Sequence, residues 1–381
     1  MSYKLDSLKI DRCCTAKARL AFVDAMRGLG ITAVVLGHIT RNGPVYMFLY
    51  AFHMPLFFII SGFLFKKRSG KRLLRSRIST LVFSYFLFST VTFIYWWAVE
   101  RNLRGGSCGA GEAFLTIFRA SGGPEYWPYN SALWFLPCLF LTEIVYQIAY
   151  NALARFFDQA AIEIGEFVKR FMLLAICIAA GIFWIPFVSN GLQPRLPWMA
   201  DVVPVAAIFY ALGALISARS GCVIRISAFL ERNKIIGAAI AFVGFACLFI
   251  IVQALNVSVN FMELVFPNMT LMMISALLGV SATFVLSCTL SNIRSFHIIG
   301  RDSLNIMGLH EPIKRIVIIV GTAALGIGVG QARNDLSISI MLTAGTLLLS
   351  WLAGRVLNCF LIKNRRRLAR CHSRYNSAYR D

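Results

Sequence analysis

The sequence predicts an all-α membrane protein, a bundle of about ten transmembrane helices with both termini in the cytoplasm. Three observations predict it. Of 381 residues, 58% are hydrophobic and 14% charged, with a mean hydropathy of +0.70, a balance unlike that of a soluble globule. The apolar residues gather in runs of about twenty, the length that crosses the hydrocarbon layer. The basic residues alternate between connections: with the N-terminus inside, 28 of the 38 Lys and Arg fall on inside segments and six on outside ones. That asymmetry marks cytoplasmic loops. It also accounts for the net charge of +21 without invoking nucleic acid. A membrane with its basic face toward the cytoplasm is the expected location, with membrane lipids as partners.

Taken in order, residues 1–20 form a basic cytoplasmic segment (Lys4, Lys9, Arg12, Lys17, Arg19) with no apolar export core, so the first span is expected to act as its own insertion signal. The membrane domain covers 21–361. Its first span, 21–40, stops at the turn Asn42-Gly43-Pro44; its second, 45–65, stops at Lys66-Lys67-Arg68. Apolar runs then place spans at 78–99, 132–150, 171–189, 201–218, 235–255 and 268–290. The connection from Glu100 to Asn130, rich in Gly and aromatics, is too short to form a domain. Spans at 303–325 and 337–360 complete the bundle, and the tail 362–381 carries five arginines from Arg365 to Arg374 that read as anchors to the membrane surface. Ten scattered cysteines, including the adjacent Cys13-Cys14, show no CxxC and no metal-ligand spacing, so neither a disulfide framework nor a metal is expected.

The ninth span is the exception. It reads Asp302-Ser303-Leu-Asn305-Ile-Met-Gly-Leu-His310-Glu311-Pro312-Ile-Lys314-Arg315 before turning apolar. Ionisable groups around a proline at membrane depth predict a broken or re-entrant helix lining a cavity. The alternative is a helix that begins only after Arg315.

Chemistry-bearing residues concentrate early. Arg27 and His38 are eleven positions apart, close to three helical turns, so they share a face about 16 Å apart along the axis. A charged group at membrane depth costs about 2.5–3.5 kcal/mol on insertion scales, which by default marks function. Away from bulk water His38 can serve as a base toward a hydroxyl; a core histidine bonded to a neighbouring helix is the alternative. Arg27 can hold a phosphate or carboxylate, or pair with Asp24 three residues earlier. His53 opens the run Phe52-His53-Met-Pro, Phe57-Phe58 put two rings above Ser61, and Ser61-Gly62 permits close helix approach. Arg72 and Arg75, one turn apart, can reach one anion, although inner-leaflet lipids would serve as well. Glu143, halfway along the fourth span, is either a partner for a basic group or a protonated carboxyl bonded to a neighbour. Trp134, at the start of that span, reads as an interfacial anchor.

Four motifs carry a resemblance: Arg27-x10-His38, Phe57-Phe58-x-x-Ser61-Gly62, Arg72-x-x-Arg75, and Gly300-x-x-Ser303 with His310-x-Pro312. Together, in order, they resemble the acyltransferase family 3 membrane proteins over nearly the whole chain. Phe52-His53-Met-Pro-Leu-Phe-Phe and Leu133-Trp134-Phe-Leu-Pro are similar to the fucose 4-O-acetylase-like branch. The resemblance implies transfer of an acyl group, usually acetyl from cytoplasmic acetyl-CoA, to a hydroxyl of a lipid-linked or outward-facing glycan. It implies that His38 is the essential histidine, that Arg27 is its motif partner, and that Arg72 and Arg75 help bind the phosphates of the acyl-CoA. Ser303, His310 and Glu311 then become further cavity candidates. Some members carry an extra extracytoplasmic domain; none is read here, so the expectation is that the membrane unit acts alone on its acceptor. Physically, His38 can act as the base or carry the acyl group itself, and some oxyanion stabiliser must exist. A secondary transporter of a small anionic or sugar-like solute is the competing class; the internal pseudo-symmetry such carriers show is not found. A non-catalytic scaffold would leave Arg27 and His38 unexplained.

Overall fold

The computed structural model describes residues 3–68, 70–104, 109–120, 130–189, 195–256, 258–266 and 268–378. Side chains are described within 21–360, apart from 103–104 and 188–189. The basic ends, Cys13-Cys14 and much of the connection before Asn130 therefore lie outside the described side chains. Among the described residues the chain is all-α, with one isolated bridge between Asn260 and Val265 in place of any strand.

Helix α1 (Tyr3–Ile39) holds the first span. Asn42 then caps α2 (Gly43–Tyr50), its side chain accepting from Val45 N at 3.3 Å, with Pro44 in the first turn where its missing N–H costs nothing. The second span is divided in two: α3 (His53–Phe63) restarts after Ala51-Phe52, since Pro55 has no N–H to close on the carbonyl four residues back. The third span is longer than the sequence suggested. It runs without interruption from α4 (Gly70–Arg77) through a π turn (Ile78–Val82), α5 (Phe83–Tyr95) and a second π turn (Trp96–Glu100) into α6 (Arg101–Arg104). A short α7 (Ala110–Arg119) follows, then α8 (Phe135–Gln159), α9 (Glu166–Ser189) and α10 (Val203–Ala218). After α11 (Ser220–Arg232) come α12 (Lys234–Ala254) and α13 (Met269–Thr289). The amphipathic α14 (Arg294–Arg301), which the sequence reading did not separate, precedes α15 (Ser303–Leu325), α16 (Val329–Asn334) and α17 (Leu336–Ala378).

Nine helices among the described residues are long and apolar enough to cross a membrane. The tenth expected span, α15, has the length, at 23 residues, but carries Glu311, Lys314 and Arg315. It is neither broken nor re-entrant, and it does not wait for Arg315 to begin. The helix continues through Pro312 because the carbonyl this proline leaves without its i+4 donor, Gly308 O, accepts instead from the side chain of Asn130 at 3.0 Å.

Close backbone contacts hold the bundle where small residues allow them. A Cβ on Gly62 would lie 1.9 Å from Tyr210 O, and one on Gly213 would lie 2.1 Å from Ile59 O, so α3 and α10 meet backbone to backbone. Gly28 and Gly300 let α1 and α14 approach in the same way. The outer faces of α9 and α12 present Phe183, Ile235 and Phe242, each more than 70% exposed, which suits a lipid neighbour and no aqueous one. At one end of the bundle Asp24 pairs with Arg301 at 3.1 Å, while Asp302 accepts from Trp351 and pairs with Arg355 at 3.1 Å. The start of the first span and the end of the last thus meet the same α14–α15 junction.

Candidate active site

The opposite end of α1 carries His38, one residue before the helix stops. The last carbonyls of a helix have no intrahelical donors. Here Arg333 of α16 supplies them, donating from Nε to Ile39 O at 2.6 Å and from a terminal nitrogen to His38 O at 3.2 Å. Arg333 O accepts from Arg41 N at 2.7 Å, closing the clamp. The backbone beneath the imidazole is therefore fixed from both sides.

Facing it on α15 is Glu311, 3% exposed. One of its oxygens lies 3.0 Å from His38 Nδ1 and 2.7 Å from Lys314 Nζ. Arg315 lies 3.9 Å from the other oxygen and makes its closer ion pair with Glu100, at the end of the third span. A carboxylate between these cations accepts from His38 Nδ1–H, which fixes the tautomer and leaves Nε2 as the basic nitrogen. His310 packs beside the pair, its ring centroid 5.2 Å from that of His38. Its Nδ1 donates to Met307 O at 2.9 Å, and its Nε2 is 3.8 Å from Glu311. Ligand atoms of His38, His310 and Glu311 lie within 4.8 Å of one another, close enough for a metal. The Lys314 ammonium already occupies the cationic place against Glu311.

His38 opens onto a cavity of about 220 Å³. Ile31 and Val34 carry its wall about two turns down α1, and Met54, Phe57 and Trp134 close the apolar side. His53 also lines it, anchored by donation from Nδ1 to Leu49 O at 2.7 Å. Tyr50 stands edge-on to His53 and is stacked on Tyr46, with centroids 3.9 Å apart. This is a concave, largely apolar chamber with a few convergent polar groups, the usual form of a small-molecule site.

The family model for an acyltransferase domain, that of acyltransferase family 3, matches residues 20–355. The chain belongs to acyltransferase family 3. The match does not distinguish the fucose 4-O-acetylase-like branch. Neither curated proteins nor solved structures include a match to it. Family and helices together make it a multi-pass membrane acyltransferase.

Of the residues expected at the acyltransferase site, the structure brings together His38, His310 and Glu311, with His53 and Phe57 on the same cavity wall. Phe58 points the other way, fully buried against Phe135 at 5.1 Å. Ser61 is half-buried beside the Gly62 contact, and Ser303 is half-buried at the far end of α15; neither lines the cavity. Asp24 and Arg27 lie at the α14 end of the bundle, and the carboxylate of Asp24 takes Arg301, where sequence suggested Arg27. Glu143 does find a basic partner, in an ion pair with Arg77. Arg72 and Arg75 are exposed on α4. Trp134 is a correction: at 9% exposure it is cavity wall, covered by its neighbours, and does not serve as an interfacial anchor. Asn130, Glu100 and Arg333, which hold the site in place, were not read from sequence. Only the carbonyl that Pro312 leaves open hinted that a donor such as Asn130 must exist.

Proposed function

We propose that the protein transfers an acyl group, in the simplest case acetyl, from acyl-CoA to a hydroxyl of a lipid-linked or cell-surface glycan, in a bacterial inner membrane with both termini cytoplasmic. One observation carries the reading: a buried carboxylate 3.0 Å from Nδ1 of a histidine that lines a concave cavity. This pair orients a general base and stabilises the cation that forms on it.

In the reaction, the acceptor hydroxyl gives its proton to His38 Nε2 as its oxygen bonds to the thioester carbonyl carbon. Glu311 holds the resulting imidazolium. When the tetrahedral intermediate collapses, the carbon–sulfur bond breaks and His38 returns the proton to the CoA sulfur. The balance is one ester gained and one thioester lost. The coenzyme's phosphates cannot enter lipid, so they stay at the α4–α14 end, where Arg72 and Arg75 are exposed and Arg27 is half-buried. From the level of Arg27 the thioester arm must reach about 16 Å to His38, and the cavity wall through Val34 and Ile31 extends in that direction.

The test is mass spectrometry of surface glycans from cells carrying wild type or His38→Ala at equal abundance. Ester should vanish in the variant; ester retained at the wild-type level would remove His38 from the mechanism.

A further inference from the structure

Part of the cavity wall is built by a short segment that the mechanism above does not use. Between α12 and α13 the chain makes a tight turn: Asn260 and Val265 exchange two backbone hydrogen bonds, at 3.0 and 2.9 Å, and Asn260 Oδ1 accepts from Glu263 N at 3.2 Å. Asn260, Phe261, Met262 and Glu263 all line the cavity, as does the stacked Tyr46–Tyr50 pair. The turn is pinned from outside. Arg195, 9% exposed, donates to Met262 O at 2.8 Å and is itself held by a buried ion pair with Asp201. Trp184 of α9 donates to Asp201 O at 2.8 Å, so the anchor reaches back into the bundle.

The chemistry of this wall is selective. Among the described residues that line the cavity, Glu263 is the one carboxylate, and no lysine or arginine is present. Carboxylate and amide side chains take pairs of hydroxyls, and aromatic faces take the C–H faces of a sugar ring. An acidic ring would meet a like charge in a lining that offers no lysine or arginine to offset it.

We propose that the turn Asn260–Val265, clamped by Arg195, is the acceptor-recognition element, and that through Glu263 it selects a neutral, polyhydroxylated ring over an acidic one. This rests on the acyl-transfer reading above. Glu263 touches the acceptor, and Arg195 is a positioning residue.

Three strains test it, carrying wild type, His38→Ala and Glu263→Gln at matched abundance, with surface glycans mapped residue by residue by mass spectrometry and acetyl-CoA binding measured on the purified proteins. Glu263 is exposed, so its substitution leaves the fold intact, and retained acetyl-CoA binding checks this. The expected result is ester on neutral sugar residues in wild type, and at least a tenfold loss in Glu263→Gln with acetyl-CoA binding unchanged. A wild-type ester level in Glu263→Gln, or wild-type ester on acidic residues, overturns the proposal while the transfer reading stands. Undiminished ester in His38→Ala would instead overturn the transfer reading, and the proposal with it. For Arg195, Arg195→Lys should raise the acceptor KM several-fold with the acetyl-CoA KM unchanged; an equal rise in both would make it merely structural.

Discussion

Replacing Glu311 with glutamine keeps the volume and a hydrogen-bond acceptor for His38 Nδ1 but removes the charge. The imidazolium that forms in the transition state then loses its counter-ion at 3.0 Å. At an effective dielectric of about 20 that interaction is about 5 kcal/mol. Lys314, 2.7 Å from the same oxygen, already offsets part of the carboxylate's field. A loss of about 3–4 kcal/mol is therefore expected, which is about 10²- to 10³-fold in kcat. The assay is acetyl transfer by purified full-length protein at saturating acetyl-CoA. Stability will also fall, because Lys314 is left buried without its anion, at a cost of about 3–5 kcal/mol for breaking one side of such a pair. The double variant Glu311→Gln/Lys314→Met separates the two effects: it removes the orphaned ammonium, so the melting temperature should recover while activity does not. A Glu311→Gln enzyme within tenfold of wild type would refute the claim that this carboxylate works through His38.

Asn130→Leu should lower stability by about 1–3 kcal/mol by leaving Gly308 O buried and unbonded. Adding Pro312→Ala, which restores an N–H to that carbonyl, should return most of the loss in thermal denaturation. Chelation of divalent cations should leave acetyl transfer unchanged, because the Lys314 ammonium at 2.7 Å already neutralises the Glu311 carboxylate; loss of activity with chelator and its return with zinc would instead make His38, His310 and Glu311 ligands. Arg72→Ala with Arg75→Ala should raise the Kd for acetyl-CoA about tenfold and leave kcat at saturation near wild type; an unchanged Kd would return both residues to lipid anchoring.

How much of this was legible in the sequence follows from which signals are local. Spans were legible because hydropathy is summed over about twenty neighbours, and nearly all of them fall where the apolar runs do. Gly62 was legible as a contact because a small residue in an apolar helix has few other uses, and the structure sets it against Tyr210. The ninth span was misread, because a proline among charges looks like a break until the distant donor is known. Asn130 lies 178 positions from the carbonyl it satisfies, and no periodicity reports that. Trp134 was assigned to the interface on residue type and its place at the start of a span, yet its place in the cavity wall depends on how the start of α8 meets α3 and α15. The pairing of His38 with Glu311 was unreadable for the same reason. Both were singled out, separately, as ionisable groups in greasy surroundings, and only the packing of α15 on α1 brings them together.

That packing also explains how α15 can carry three charges in the interior of the helix bundle. Taken singly, each would cost several kcal/mol to insert. In the folded bundle Glu100 meets Arg315 and Glu311 meets Lys314, so two anions and two cations cancel, all of them at most 15% exposed in their side chains. Within α15 and its partner on the third span the charges therefore balance, and Arg333, on the carbonyls of His38 and Ile39, is the further cation nearby. The one change during the proposed reaction is the proton that His38 gains and then gives up. A site built in this way pairs the charges of α15 at rest and keeps a carboxylate already aligned for the transient positive one. The charges that make α15 a poor membrane helix by composition are, on this view, what allow it to serve the base on α1.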